Sequence, residues 1–313
     1  VETSGDPEYH HQRIPTIRTN KLKAWVSIMY GCDNFCTYCV VPYLRGRERS
    51  RRPDEIVHEV RELALRGYKE VTLLGQNVNS YGKGLDEEID FPALLKRVSD
   101  ETAIERIRFM TSHPRDLSER LILALQGLPK VCESLHLPVQ SGSNAVLAFM
   151  NRRYTREDYL DKVTRLRHAV PDIVFTTDII VGFPGETEQD FEMTTRLLTD
   201  VRYDGIFAFK YSKRPGTAAL KLSEHLPEDV KEKRLATVLA LQKEITIQKN
   251  HKQIGETKEV LLDGHSKKGG MITGRTRGNK AVNVAAAPSL IGSFVKVRIT
   301  SAGDNSLTGR ICE

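Results

Sequence analysis

"SIMYGCDNFCTYCVVPYLRGRERSRR" occupies residues 27–52. Cys32, Cys36 and Cys39 fall close together there, and Arg45, Arg47, Arg49, Arg51 and Arg52 follow at once. The apolar run leading into the loop, "AWVSIMY" (24–30), reads as a buried strand. Pro53 then opens an amphipathic helix with Ile56, Val57, Val60, Leu63 and Ala64 on one face, and Gly67 ends it. Strand, loop and helix in that order begin an alternation that continues for most of the chain. Further strands are predicted at "EVTLLG" (70–75), "IRFM" (107–110), "SLHLPV" (134–139), "VFTTDIIV" (174–181) and "GIFAFKY" (205–211). Helices are predicted over 91–101, 117–126, within 143–169 and from 187, where Thr187 and Asp190 have capping-box spacing. Six such units predict an α/β protein with a parallel sheet, curled or doubly wound, under helices.

After a long helix following Pro227 the texture changes near 252–256. "KEVLL", "GMITGRT", "KAVNVAA", "SFVKVRI" and "LTGRIC" are short strands between Gly-rich turns, the pattern of a small all-β barrel. Residues 254–313 carry nine Lys/Arg against five Asp/Glu, so much of the net charge of +6 sits there and a polyanionic partner is expected. No apolar run of about 18 residues is present, and the polar first residues have no secretory h-region. They also lack an initiator Met, so the chain reads as a piece of a longer one. Five cysteines, three of them clustered, make a poor disulfide framework and fit a reducing cytosol.

The Cys-x3-Cys-x2-Cys spacing suits a compact inorganic cluster held on one short loop. Structural zinc wants four ligands, and neither His nor a fourth Cys stands near. A four-iron cluster with three protein thiolates keeps one iron open for chemistry. Iron–sulfur is therefore the leading reading, with zinc and unligated thiols as alternatives. Active sites of parallel β/α folds form at the carboxyl ends of strands. The triad follows strand one, "GQNVNS" (75–80) strand two, "QSGSN" (140–144) strand four, "GFPGET" (182–187) strand five and "SKRPGT" (212–217) strand six.

On the triad, with Tyr38 before its last Cys, the chain resembles the radical S-adenosylmethionine (SAM) enzymes. "LLGQNVNSYG", "LPVQSGSNAVLAFMNRRYTR", "TTDIIVGFPGET" and "YSKRPGTAA" resemble their methylthiotransferase branch, and the last region resembles its RNA-binding TRAM barrel. The resemblance implies an open parallel (β/α)6 partial barrel over 21–252, a TRAM barrel over 253–313, and a linker from an N-terminal domain over 1–20. It implies a [4Fe–4S] cluster on Cys32, Cys36 and Cys39, and one-electron cleavage of SAM to a 5′-deoxyadenosyl radical. It also implies that Gly75, Gln76 and Asn77 border the methionyl end of SAM. Ser141, Gly142, Ser143 and Asn144 would then border the ribose, and Tyr38, Val181, Gly182 and Phe183 the adenine. Where the superfamily often has Gly-Gly-Glu this chain reads "LGQN", so the Gln76 or Asn77 amide stands in for the carboxylate.

Of the branch's substrates, prenylated adenosine next to the tRNA anticodon matches the stretches best, ahead of threonylcarbamoyl-adenosine and a ribosomal-protein aspartate. The family's second [4Fe–4S] cluster needs three further cysteines, which Cys132 and Cys312 cannot supply. This piece is thus expected to bind one cluster and SAM without completing thiomethylation. The expected partners are the tRNA anticodon stem-loop and a flavodoxin or ferredoxin, for a cytoplasmic monomer without a membrane. Arg45, Arg47, Arg49, Lys267, Lys268, Arg275, Arg277 and Lys280 are the RNA-binding candidates, with Lys258 beside them. The bland alternative for each is a solvated or ion-paired surface. Tyr43 and Tyr81 could stack on an extruded base or pack in the core. The rival from another class is a non-catalytic RNA-binding protein with structural zinc.

Overall fold

The computed structural model describes Arg18, residues 20–267 and residues 269–312. All but Arg18 and Asn20 of the expected linker lie outside the described residues, as does Lys268. In chain order the elements are β1 (Lys23–Ser27), β2 (Met29–Tyr30), α1 (Val41–Arg45), β3 (Arg49–Ser50), α2 (Pro53–Leu65) and β4 (Glu70–Leu74). There follow α3 (Phe91–Glu101), β5 (Arg106–Phe109), α4 (Glu119–Gly127), β6 (Ser134–His136), α5 (Asn144–Phe149) and α6 (Arg156–Ala169). Next come β7 (Val174–Val181), α7 (Glu188–Val201), β8 (Gly205–Lys210) and α8 (Glu228–His251). Last are β9 (Thr257–His265), β10 (Ile272–Thr276), β11 (Ala281–Val284), β12 (Phe294–Ala302) and β13 (Ser306–Ile311).

The chain divides into two compact units. The first holds the chain up to Val131 with 144–165 and 212–224. Its parallel sheet has the order β1–β4–β5, with Val26 beside Leu73 and Val71 beside Ile107. Helix α2 packs on β1 with Ile56, Val57, Val60 and Leu63 buried, as the periodicity predicts. Pro53 at its first turn and Asp90 capping α3 (Oδ1 accepts from Ala93 N, 3.0 Å) set the two helix starts. Strand β5 is buried along its whole length although it carries Arg106 and Arg108. Both guanidiniums face Glu70 of β4: Arg108 Nε donates to Oε2 at 2.9 Å, and Arg106 Nη1 lies 4.0 Å away.

The second unit holds 132–143, 166–211 and 225 onward. Its parallel sheet is β6–β7–β8, and β7 alternates buried and half-buried residues along its length. The predicted capping box of α7 is formed: Thr187 Oγ1 accepts from Asp190 N at 3.2 Å, and Asp190 Oδ2 accepts from Thr187 N at 2.9 Å. The closed barrel, order β10–β11–β13–β12–β9, encloses Val260, Leu262, Ile272, Val282, Val284, Val297, Ile299 and Leu307. It falls in the same compact unit as the second sheet. Arg277 forms a bidentate pair with Glu133 there (Nε–Oε2 2.7 Å, Nη2–Oε1 2.8 Å). Helix α8 buries Val238 and Ile245 but also Arg234, Gln242 and Asn250. Each of the three makes polar contacts there: Arg234 pairs with Glu186 and Glu188, Gln242 donates to Tyr203 O and Asn250 to Gly303 O.

Candidate active site

The cysteine loop leaves β2 and returns in β3, which pair antiparallel as Met29–Ser50 and Tyr30–Arg49. Gly31 has φ +74°, and a Cβ on it would stand 2.0 Å from Arg47 O, so only glycine permits this closure. Cys32 N donates to Gly46 O at 3.2 Å across the same neck. Each sulfur then receives an N–H: Asn34 Nδ2 to Cys32 at 3.5 Å, Arg152 Nη1 to Cys36 at 3.4 Å, and Val41 N to Cys39 at 3.5 Å. Burial pushes the Cys32 and Cys39 thiols up, so ligation must displace their protons. Among the described residues no three His, Cys, Asp or Glu side chains converge as around a single ion. In a four-iron cluster each thiolate takes its own iron, and a set of thiols with N–H donors on the sulfurs fits such a group.

The loop after β4 holds Gly75, where a Cβ would meet Met29 Cγ at 2.4 Å. Asn77 is buried with both ends of its amide engaged: Nδ2 donates to Asp116 at 2.6 Å and Oδ1 accepts from His113 N at 3.1 Å. Gln76 Oε1 is buried without a hydrogen-bond partner. Of the two amides, Gln76 is therefore the one with an acceptor to offer an ammonium. Ser112 Oγ, His113 Nε2 and both polar atoms of Asn79 are likewise buried and unpartnered. They follow β4 and β5, where the β-branched Thr111 takes φ +70°.

His113 is a site residue the sequence reading missed, because "TSHPRD" looks like an ordinary turn. Its Nδ1 accepts from Arg115 N at 3.2 Å, which leaves the ring proton on Nε2. Burial, then the positive charges of Arg152, Arg115 and Lys162, push its pKa down to about 2. A folded pKa below the unfolded value gives stability that is full above about pH 6.5 and is lost as pH falls toward the folded pKa. Between pH 6.5 and 5 the loss is about 2 kcal/mol, at about 1.4 kcal/mol per pH unit. His113→Asn keeps an acceptor for Arg115 N and removes the titration, so its urea-unfolding free energy is expected to fall less over that range. Equal slopes in both proteins refute the assignment.

In the second unit the "QSGSN" turn is bonded to itself and to α7. Ser141 Oγ meets Thr194 Oγ1 at 3.3 Å, Gly142 N donates to Thr194 Oγ1 at 3.0 Å, and Ser143 Oγ donates to Asp190. A Cβ on Gly142 would stand 2.4 Å from Met193 O. Gln140, outside the predicted set, has φ +73° and a buried, unpartnered Oε1. Val181 and Phe183 are fully buried, Phe183 edge-on to Tyr211 at 5.2 Å, so this stretch has backbone rather than side chains to offer a ligand. Gly182 N is held by Glu186 Oε2 at 2.7 Å. In the first unit, Asn144 spends its side chain on Glu157 (2.8 Å) and on Arg156 N (2.6 Å). Tyr38 lies with Arg152 Nη1 at 3.4 Å from its hydroxyl.

The arginine run divides. Arg51 is structural, bonded to Ser27 O (2.6 Å) and Glu59 (2.8 Å). Arg49 is half-buried in β3, whereas Arg45, Arg52 and Arg47 are exposed, Arg47 lying 4.9 Å over the Phe35 ring and 3.2 Å from Asp33. Glu48, within the run, is bound instead by Ser80 (2.8 Å) and Lys83 (3.4 Å). Tyr81 is core, its hydroxyl donating to Arg51 O at 2.7 Å, while Tyr43 is exposed.

Residues 26–198 match the family model of the Radical SAM superfamily, and 251–312 match the TRAM domain. The chain belongs to the radical SAM superfamily. With membership come a [4Fe–4S] cluster and SAM as its cofactors. The chain is 51% identical over 311 residues to the tRNA-2-methylthio-N(6)-dimethylallyladenosine synthase of Caldicellulosiruptor saccharolyticus, covering 99% of this chain and 66% of that one. With the enzyme of the same name from Acetivibrio thermocellus the identity is 54% over 301 residues, covering 96% and 63%. The chain thus spans slightly less than two thirds of these relatives' length. In fold it is similar to coproporphyrinogen III oxidase of Escherichia coli, a radical SAM enzyme (TM-score 0.54, 14% identity, 92% of this chain and 71% of that one). A radical SAM methyltransferase of Kitasatospora setae is also similar (TM-score 0.52, 16% identity, 64% and 38%).

On the TRAM barrel of this radical SAM protein, Arg277 is committed to Glu133, and Lys280 is half-buried, its Nζ 3.4 Å from Asp204 O. Lys267 and Arg275 are exposed, Arg275 donating to Asn279 O at 3.1 Å. Three exposed cations escaped the sequence reading: Lys296 and Arg298 on β12, and Arg310 on β13. Arg298 stands directly opposite Arg310 in register, a like-charge pair that opposes folding and suits an anionic ligand. Strand alternation on the last two strands was the available signal.

Proposed function

We propose that this chain is the radical SAM core and TRAM barrel of a tRNA methylthiotransferase acting on N6-isopentenyladenosine next to the anticodon. The observation that carries the reading is the cysteine loop, with an N–H on every sulfur, in a chain that also presents Arg298 opposite Arg310 on its barrel. The substrate assignment rests on relatives of that name at 51–54% identity. Cys32, Cys36 and Cys39 hold the cluster. When bound, cluster and SAM supply one-electron cleavage of a carbon–sulfur bond and with it hydrogen abstraction from the base.

The chain's own groups bind and orient. Gly75 lets its loop approach closely, Gln76 Oε1 would accept from the ammonium of SAM, and Asn77 fixes the loop through Asp116 and His113 N. Ser141 to Asn144 shape the ribose turn through their backbone, and Tyr38 with the 181–183 backbone borders the adenine. Lys296, Arg298, Arg310, Lys267 and Arg275 on the barrel meet tRNA phosphates, as do Arg45 and Arg47 beside the cysteine loop. Lys268 is proposed with them from sequence alone. The setting is cytoplasmic, with flavodoxin or ferredoxin as electron donor and a monomeric chain; among the described residues no helix is long and apolar enough to cross a membrane.

Nucleoside analysis of tRNA from a strain lacking the gene tests the reading. The 2-methylthio derivative of isopentenyladenosine is expected to vanish and its unmodified parent to accumulate. Loss of the threonylcarbamoyl counterpart instead would move the substrate, and an unchanged tRNA would leave the zinc-bearing binding protein as the better account.

A further inference from the structure

Arg152 lies 116 positions from Cys36 in sequence yet is buried against it, only 4% exposed. Its Nη1 donates to Cys36 Sγ and to the Tyr38 hydroxyl, each at 3.4 Å. Its Nε donates to Tyr154 Oη at 2.9 Å, with the guanidinium 5.2 Å from that ring's centre. The backbone is bent to put it there. Asn151 and Arg153, on either side, both take left-handed φ values of 58° and 57°, which non-glycine residues avoid unless their surroundings enforce them. Hydrogen bonds sew this segment to the cysteine loop: Thr37 N to Met150 O at 3.1 Å, Thr37 Oγ1 to Phe149 O at 2.8 Å, and Asn151 Nδ2 to Phe35 O at 3.0 Å and Asn34 O at 3.5 Å.

A guanidinium keeps its charge at any working pH. Burying one is costly unless an anion meets it, and Cys36 becomes anionic when it ligates iron. One-electron reduction adds negative charge to the cluster. A fixed cation on a ligand sulfur stabilises the reduced form more than the oxidised one, and so raises the potential. We propose that Arg152 is the cluster's built-in counter-charge, a positioning residue that makes the cluster easier to reduce through its contact with Cys36. The proposal rests on the three cysteines being the cluster ligands.

The test is an EPR-monitored redox titration of the anaerobically reconstituted chain, without SAM, with iron content measured alongside. In Arg152→Gln the ratio of reduced to oxidised cluster at a fixed solution potential is expected to fall about tenfold, which is about 59 mV for a one-electron couple. Arg152→Lys, which keeps the charge, is expected to stay within about threefold of the parent. Arg152→Gln titrating at the parent potential overturns the proposal, and so does Arg152→Lys falling as far as Arg152→Gln. If Arg152→Gln cannot retain iron, retention in Arg152→Lys supports the counter-charge. Iron loss from both, with native circular dichroism, overturns it in favour of packing alone. A parent chain that takes up no iron would instead sink the cluster assignment.

Discussion

Cys36→Ala is expected to emerge from anaerobic reconstitution colourless and to form no 5′-deoxyadenosine from SAM and dithionite, whereas the parent chain is expected to be brown and to form it. The three-thiolate set has no spare member. Cys132 is buried in the other unit, and Cys312 is fixed on the barrel by the bond from its N–H to Lys296 O at 2.8 Å. The loop has no other soft ligand with which to replace a central thiolate. Affinity for tRNA is expected to change less than about threefold, because phosphate contacts set it and the cations of β12 and β13 are untouched. Iron content and product formation at parental levels in Cys36→Ala would place the cluster elsewhere.

Glu70→Gln is expected to cost about 3–5 kcal/mol of stability, the range for breaking a buried ion pair by removing one partner. Glu70 sits at 5% side-chain exposure between Arg106 at 1% and Arg108 at 7%. Neutralising it takes the negative charge away from two buried guanidiniums, Arg108 at 2.9 Å and Arg106 at 4.0 Å. For a unit of this size the loss lowers the melting temperature by on the order of 10 °C. Replacing all three by apolar residues of similar volume is expected to restore most of it, since a well-packed core can equal a buried ion network. A thermal melt of Glu70→Gln matching the parent would show that the carboxylate contributes nothing.

Period and turn chemistry made the scaffold legible. Six apolar strands in register-ready positions, Pro53, the Thr187–Asp190 box and the Gly-rich barrel turns are all local signals, and every predicted strand is present. What could not be read is convergence between distant segments. "NRRY" looks like two surface arginines on a helical stretch, yet left-handed residues break that stretch between α5 and α6 and turn Arg152 inward. Arg277 looks like an RNA contact and is an internal pair, because Glu133 lies 144 positions away. Asn77 and Gln76 are equivalent on paper; only Asp116 and His113 show which amide is already occupied. On helix α8, Val238 and Ile245 have helical spacing and are buried, but Arg234, Gln242 and Asn250 beside them give no sign in the sequence of being inside.

The neck at Gly31 has a consequence for anyone wishing to move the cysteine loop into another protein. With Gly31 closed against Arg47 and the β2–β3 pair just outside, residues 29–50 form a self-locked hairpin, and the arginines are its second leg. A transplant cut at Cys39 would carry the ligands without the brace that spaces them. A transplant needs the whole hairpin, positive charge included, together with the 149–152 segment bonded to its loop.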